Sequence, residues 1–376
     1  MTQPDGTVLL TGATGFVGME LLARYLERTD RPVVAIIRAT NDEAARARLD
    51  AVLANLFGYR ANRYGGRVSA VAGELTAPRL GLDRGRWERL AGQVNTIVHS
   101  AASVSFTLPL ERARATNVEG TRRMLELAAR ARELGVLERY AHISTAYVAG
   151  THAGRFYERD FDVAQAFHNS YEQTKFEAEE LVRGSAGRDQ IPFMILRPSI
   201  VVGDRQSGWT SAFNVLYWPL RALARGIFPA VPASPSSPVD VVSIDYVADA
   251  IHELCERAGE PGQTYHLTAG SNASTMGEIV SFASGYFHRP GPKLVPPAEF
   301  ASVANGVAKS VLEEGSAYFP YFSVAATFDD AFTRARLEPA GISSSPLRDY
   351  LGRLLDFATR ARWGKRPIGR AEARLA

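Results

Sequence analysis

The stretch Thr7–Gly18, TVLLTGATGFVG, limits what this chain can fold into more than any other segment. A short apolar run breaks into Gly12, Gly15 and Gly18, and a helical pattern follows at once. That is the strand–turn–helix context in which spaced glycines bind a dinucleotide. Gly12 permits the tight turn, Gly15 lets the backbone approach a pyrophosphate, and Gly18 lets the helix pack against the strand. The helix N-terminus then faces the anion. A unit of this kind belongs to an α/β fold with a parallel sheet and crossover helices.

The first half of the chain continues that alternation. Strands are predicted at Thr7–Leu10, Val33–Ile37, Val68–Ala72, Thr96–His99, Ala141–Ser144 and Phe193–Arg197. Helices are predicted near Gly15–Glu27, Asp42–Leu56, Trp87–Gly92, Asn117–Leu134 and Ser170–Val182. Together they give a Rossmann-type, doubly wound parallel sheet of at least six strands. From about Asp204 the pattern changes. A Ser/Pro-rich linker leads into an apolar return segment, Val239–Ile244, then a helix Val247–Arg257 and a short strand Thr264–Thr268 that rejoins the sheet. Residues 1–204 and 239–268 are therefore assigned to the nucleotide-binding domain. Residues 205–238 and 269–376 are assigned to a smaller, mainly helical C-terminal substrate lobe over one sheet edge. A chain of 376 residues has core enough for both.

Composition excludes several function classes. The net charge of +3 does not suit nucleic-acid binding. The lone cysteine, Cys255, allows no intrachain disulfide or thiol cluster and suits a reducing cytoplasm. The seven histidines lack ligand spacing, so no metal is expected and they read as structural or surface groups. MTQPDGTVLLTGATG carries no signal-peptide pattern. No window approaches the roughly 18 apolar residues of a membrane span. The basic residues Arg360, Arg362, Lys365, Arg366, Arg370 and Arg374 read as a solvated, frayed end, the other reading being a weak contact with acidic lipid or a carrier protein. Oligomeric state leaves no signature.

The second strand points to the dinucleotide. NAD sites usually place an acid at its end to accept from the ribose 2′-OH. Here VVAIIRAT ends in Arg38, with no acid until Asp42. A guanidinium pairs with a 2′-phosphate, so NADPH is the expected cofactor. Arg48 is a second candidate partner; the alternative is plain helix solvation.

Four more features fall where strands end, which is where open α/β sheets bind ligands. Ser100, Ala101 and Ala102 are small residues that let the chain run close to a cofactor. Asn117, in TNVEGT, reads as a helix-start polar residue or as an active-site hydrogen bonder. Ser144 and Thr145 stand where the fifth strand stops. Tyr171 and Lys175, in SYEQTK, lie one helical turn apart on a shared face.

These residues resemble the extended short-chain dehydrogenase/reductase superfamily. Within it the chain is most similar to the fatty acyl-CoA reductases and to the thioester reductase domains of carboxylic acid reductases and nonribosomal peptide synthetases. TGATGFVG and YEQTK carry the superfamily; AGELTAPRLGL, RPSIVVGDRQSGW and VDVVSIDYVADAI carry the branch. The resemblance implies that Tyr171 is the general acid and Thr145, rather than Ser144, a second hydrogen bond to the substrate oxygen. It implies that Lys175 binds the nicotinamide ribose and lowers the Tyr171 pKa, and that Asn117 supports Lys175 through water. The implied cofactor contacts are Thr11, Gly12, Thr14, Gly15, Phe16, Val17, Gly18, Arg38, Arg48, Glu74, Leu75, Ser100, Ala101, Ala102, Pro198, Ser199 and Ile200, besides Tyr171 and Lys175. Glu74 is a departure, since the family usually has an aspartate there. The implied substrate is an acyl thioester of coenzyme A or an acyl carrier protein, reduced to an aldehyde or on to the alcohol in lipid metabolism. Leu216, Tyr217, Trp218 and the patch Ala317–Phe322 are candidates for an acyl pocket or plain core, as is Trp209.

Other activities use the same scaffold. A ketone, aldehyde or hydroxysteroid-type dehydrogenase would need the same Thr–Tyr–Lys set. Dehydratases usually place an acidic pair where Ala146 and Tyr147 stand, and epimerases recycle NAD and seldom need Arg38. A non-catalytic dinucleotide sensor typically lacks the tyrosine or the lysine.

Overall fold

Seven parallel strands form the central sheet of the computed structural model, which describes residues 6–213, 215–227, 229–303 and 318–375. They are β1 (Thr7–Thr11), β2 (Val33–Ile37), β3 (Val68–Ala72), β4 (Val94–His99), β5 (Arg139–Ile143), β6 (Phe193–Pro198) and β7 (Thr264–Leu267). Their order across the sheet is β3-β2-β1-β4-β5-β6-β7, all parallel. The chain reverses direction of travel between β1 and β4, and a crevice opens there at the strand ends. β7 pairs with β6, Thr264 opposite Ile195, so the segment expected to rejoin the sheet does so.

Helices cover both faces, which is why β2 is buried at every position and reads as an unbroken apolar run. Side chains alternate across the sheet. Val8 and Leu10 meet α1 (Phe16–Arg28), α2 (Asp42–Phe57) and a later helix, Ile244–Glu253, on one face. Leu9, Val34 and Ile97 meet α3 (Arg84–Gln93), α4 (Gly120–Glu133) and α5 (Ser170–Asp189) on the other. A third apolar core lies outside the sheet. It joins α6 (Tyr217–Ala224), α7 (Met276–Phe287) and α8 (Leu351–Arg360) with Tyr321, Phe322 and Phe328. It also takes in Ala146–Ala149, Phe156, Ile200, Val202 and Val239, so this core draws on segments between the sheet strands as well.

Two expectations change. The helix expected to open at Asn117 begins at Leu110, after Pro109, whose fixed φ suits a helix start. Asn117 sits inside a wide π turn, Ala115–Glu119, between Leu110–Arg114 and α4. The basic C-terminal segment is not frayed either. Arg370 is 2% exposed and forms ion pairs with Glu20 at 2.7 Å and Glu27 at 3.0 Å on α1. Arg374 reaches Asp204 at 3.5 Å, and the Trp209 indole donates to the Ile368 carbonyl at 3.1 Å. Burial of the Glu20 carboxylate on α1 calls for cations around it, and the last turn of the chain supplies one of them.

Candidate active site

The C-terminal ends of the strands surround a cleft of about 770 Å³. Gly12, Thr14, Gly15, Phe16, Val17, Gly18, Arg38, Arg48, Glu74, Leu75, Ser100, Ala101, Ala102, Pro198, Ser199 and Ile200 all line it, as do Thr145, Tyr171 and Lys175. Thr11 and Asn117 lie behind the wall. Thr11 is fully buried, and its hydroxyl meets His99 Nδ1 at 2.8 Å while accepting from the amides of Ser100 and Ala101 at 3.2 and 3.1 Å. It fixes the small-residue loop instead of touching the cleft.

The glycine loop suits a dinucleotide on its own geometry. A Cβ on Gly12, at φ +77°, would come within 2.8 Å of the Ala101 nitrogen. A Cβ on Gly18 would lie 2.0 Å from the Gly12 carbonyl oxygen, so the helix could not seat there with any side chain. Gly15 meets only that same oxygen, at 3.3 Å, and so leaves a bare backbone edge. Gly15 stands at the N-cap of α1, so the helix has no side-chain cap, and its first turn holds no acid. Its first N–H groups are left for an anion.

At the β2 end, Arg38 and Arg48 are both exposed, and the Arg48 guanidinium donates to the Arg38 carbonyl. Asp42 is already matched: it accepts from the Ala72 amide at 2.9 Å and from Arg86 at 2.8 Å, and the amide and then the guanidinium hold its carboxyl below the ordinary range. Glu74 lies at the cleft wall and accepts from the Thr76 amide and hydroxyl at 3.2 and 3.1 Å.

The other end of the cleft holds the Thr–Tyr–Lys group. Asn169 caps α5 by accepting from the Glu172 amide at 3.0 Å, which sets Tyr171 in the first turn and Lys175 one turn on. The Thr145 hydroxyl, at the exit of β5, meets the Tyr171 phenol and also reaches the Pro198 carbonyl at 3.4 Å. Ser144 lines the cleft too. Lys175 is 3% exposed; its ammonium donates to the Ile143 carbonyl at 2.6 Å and faces His142 Nε2 at 3.5 Å. Asn117 clamps the loop before it: Oδ1 accepts from the Ser103 amide at 2.7 Å, and Nδ2 donates to the Ser103 carbonyl and Thr174 hydroxyl, each at 3.0 Å.

The proton affinities differ from the sequence expectation. Burial pushes the Tyr171 phenol up to about 12; the Thr145 hydrogen bond opposes this, and the charge of Glu172 adds to it. Lys175 does not bring it down. Burial pushes Lys175 itself down to about 8, with Glu179 opposing. Desolvation outweighs the neighbouring charges and hydrogen bonds because both groups are buried in the cleft wall. The phenol therefore stays protonated through neutral pH and suits a proton donor, while the lysine titrates within the working range. A kcat/KM profile should be level near neutrality and fall about tenfold per pH unit above about pH 8, as Lys175 loses its proton. A limb starting near pH 10.5 would refute the assignment.

Several site groups carried no recognisable signal in the sequence. Glu172, fully buried beside Tyr171, accepts from the Tyr321 hydroxyl at 2.7 Å and from the His168 amide at 2.9 Å. Phe106 stacks on Tyr321 at 4.8 Å and contacts Tyr171 at 5.8 Å. No local pattern marks Glu172 as buried, because Tyr321 is 149 positions away. Of the aromatic patch, Tyr318 and Tyr321 line the cleft, Phe319 and Phe322 line a second cavity, and Ala317 lies outside the described residues. Leu216 and Trp218 also line that second cavity. Tyr217 is core, accepting from the Gly203 amide at 3.0 Å, and Trp209 is core against Phe16.

Comparison with known proteins gives consistent relatives. The male sterility protein family profile, an NAD-binding type, matches residues 10–251. Carboxylic acid reductase of Mycobacterium marinum is 31% identical over 69% of this chain and 24% of its own length. An isonitrile lipopeptide synthase of Streptomyces coeruleorubidus is 36% identical over 60% of this chain and 15% of its own. The chain thus spans a quarter or less of the length of these curated relatives. Among solved structures, the terminal R domain of the myxalamid PKS-NRPS pathway superposes with a TM-score of 0.83 at 28% identity, covering 98% of this chain and 94% of that one. The chain accordingly belongs to the male sterility protein family of NAD-binding Rossmann domains, in the thioester reductase branch of the extended short-chain dehydrogenase/reductases.

Proposed function

We propose that this chain reduces an acyl thioester, carried on coenzyme A or on an acyl carrier protein, to the aldehyde, with NADPH as reductant. The observation that carries the reading is one cleft that has an uncapped helix start and two arginines at one end and Thr145, Tyr171 and Lys175 at the other. The names of the relatives, carboxylic acid reductase and a terminal reductase domain, support the thioester half.

NADPH bound along the glycine loop supplies the hydride. The chain's own residues do the rest. Arg38 and Arg48 pair with the 2′-phosphate, and Lys175 holds the ribose while Asn117 keeps the Ser103 loop in place. Thr145 and Tyr171 hydrogen-bond the thioester carbonyl oxygen and stabilise the charge that develops on it. Tyr171 passes its proton to that oxygen, giving a hemithioacetal. Loss of the hydroxyl proton and cleavage of the C–S bond release the thiol and leave the aldehyde. A second hydride to a retained aldehyde gives the alcohol. Residues 205–238 and 269–376 form the lobe that holds the acyl group, and the setting is cytoplasmic.

The test is NADPH oxidation over a panel of acyl-CoA and acyl-pantetheine thioesters, simple ketones and aldehydes, with products identified. Free thiol is expected in an amount equal to aldehyde plus any alcohol. Turnover of ketones with no thioester reduced would overturn the reading. The cofactor half has its own measurement. Arg38→Asp should raise the KM for NADPH about 10- to 100-fold and leave that for NADH within a few-fold, as expected for loss of a charge-assisted pair. Equal changes in the two would place the 2′-phosphate elsewhere.

A further inference from the structure

Thr145, Tyr147 and, from α5, Tyr171 bring three hydroxyls to the end of β5, and all three residues line the catalytic cleft. The reaction proposed above employs two of them. We infer that Tyr147 is a third catalytic residue, whose phenol donates a hydrogen bond to the thioester sulfur and steadies the thiolate as the C–S bond breaks. The inference rests on the thioester reading above and adds a residue to its site.

Tyr147 lies in the short helical turn Ala146–Ala149 that follows β5. Its amide donates to the Thr145 hydroxyl at 3.2 Å, which ties the turn to the catalytic threonine. Tyr321 and Phe328 hold the ring edge-on, with centroids at 5.0 and 5.6 Å. The side chain is buried, yet among the described residues its hydroxyl has no hydrogen-bond partner and is not sealed from solvent. Neighbouring phenols are engaged: Tyr321 donates to Glu172 at 2.7 Å, and Tyr217 accepts from the Gly203 amide at 3.0 Å. A phenylalanine would fill the same packing, so the Tyr147 oxygen calls for a partner that enters from the cleft.

The chemistry of the substrate names that partner. A thioester presents two heteroatoms at its reacting carbon, the carbonyl oxygen and the sulfur. The oxygen has two lone pairs, and Thr145 and Tyr171 take both. The sulfur remains, and it receives the negative charge when the hemithioacetal collapses. In that step the hydroxyl returns its proton to the Tyr171 phenolate, the carbonyl re-forms, and the C–S electron pair leaves with sulfur. A hydrogen bond from Tyr147 stabilises the charge where it develops. Burial, with the charges of Asp240 and then Glu172 adding to it, pushes the Tyr147 phenol well above its ordinary range. A thiol titrates at roughly 8.5, so the proton stays on the phenol. The thiolate takes its own proton from water on release.

The experiment compares Tyr147→Phe with the parent chain on thioesters that share one acyl group and differ in the thiol, from pantetheine to an aryl thiol. The substitution deletes one oxygen and keeps the ring between Tyr321 and Phe328. With the pantetheine thioester kcat should fall about 10- to 100-fold, the range for a hydrogen bond to a charged group. With the aryl thioester, whose thiolate is stable without help, the loss should stay within about threefold. Cofactor titration by fluorescence should give the parent's affinity, which shows that the site is intact. Where the parent also reduces the free aldehyde, the variant should match it, because that step involves no sulfur. A loss of one size for every thiol overturns the inference and returns the phenol to packing or to the acyl group. A variant that matches the parent on every thioester overturns it as well. Either result leaves the thioester reading standing; if the parent reduces no thioester, both fall together.

Discussion

Replacing Tyr171 by phenylalanine should lower kcat/KM for thioester reduction by about 10²- to 10⁴-fold, the range for loss of a positioned proton donor. The ring itself is held by Phe106 at 5.8 Å, so removal of one oxygen leaves its packing in place. Cofactor affinity should change by no more than a few-fold, because the glycine loop and the arginines at the β2 end lie at the other end of the cleft. Thr145→Val should cost about 10²- to 10³-fold in kcat, typical of one oxyanion donor. The double variant should fall well short of the product of the two losses, since both hydroxyls face the same part of the cleft and act on one oxygen. Steady-state kinetics with a fixed thioester, together with cofactor titration by fluorescence, decide it. A Tyr171→Phe enzyme within tenfold of the parent would remove Tyr171 from the chemistry.

Legibility in the sequence followed distance along the chain. The seven-stranded sheet was readable because each strand is a short apolar run bounded by turn residues, and because TVLLTGATGFVG orients the first βα unit. Cleft residues placed by local geometry were readable as well: Gly12 by its turn, Tyr171 and Lys175 by one helical turn. What escaped was set by partners remote in sequence. Arg370 looked like a tail residue until Glu20 and Glu27 closed on it. Glu172 carries no local mark of burial, yet it is fully buried and bonded to Tyr321 and His168. The start of the Asn117 helix was misplaced because TNVEGT resembles a cap, while the helix gains its first turn from the less obvious Pro109–Leu110. The Tyr171 pKa ran the other way for a related reason. Spacing shows which charge is near, but not how deeply the pair is buried, and here burial is the larger effect.

The largest loss of stability should come from Arg197→Met. Arg197 on β6 and Glu179 on α5 are both fully buried, bonded through Nε–Oε1 at 2.9 Å and Nη2–Oε2 at 2.7 Å. Removing the cation leaves Glu179 with the weaker support of Arg183 at 3.5 Å and of the Lys175 charge one turn away, a loss of about 3–5 kcal/mol for one partner of a buried pair. The pH dependence identifies the cause. Burial by itself raises the Glu179 carboxyl, and Arg197 overrides it, holding the group below the ordinary range. In the parent, the stability this contributes is present above the unfolded carboxylate pKa and disappears as pH falls through the folded one. Without Arg197 the sign reverses: the folded state binds the proton more tightly than the unfolded, so the variant should weaken as pH rises and recover part of its deficit toward about pH 5. Urea unfolding at pH 5 and pH 8 measures this directly, and an equal deficit at both would assign the loss to packing. Arg197→Met combined with Glu179→Leu should recover much of the stability, because apolar side chains can replace a buried pair. The same carboxylate ties the fold to the site, since its charge raises Lys175 one turn away. Glu179→Gln should therefore move the alkaline limb of activity to lower pH, whereas Arg197→Met, measured at a pH where Glu179 remains ionised, should not.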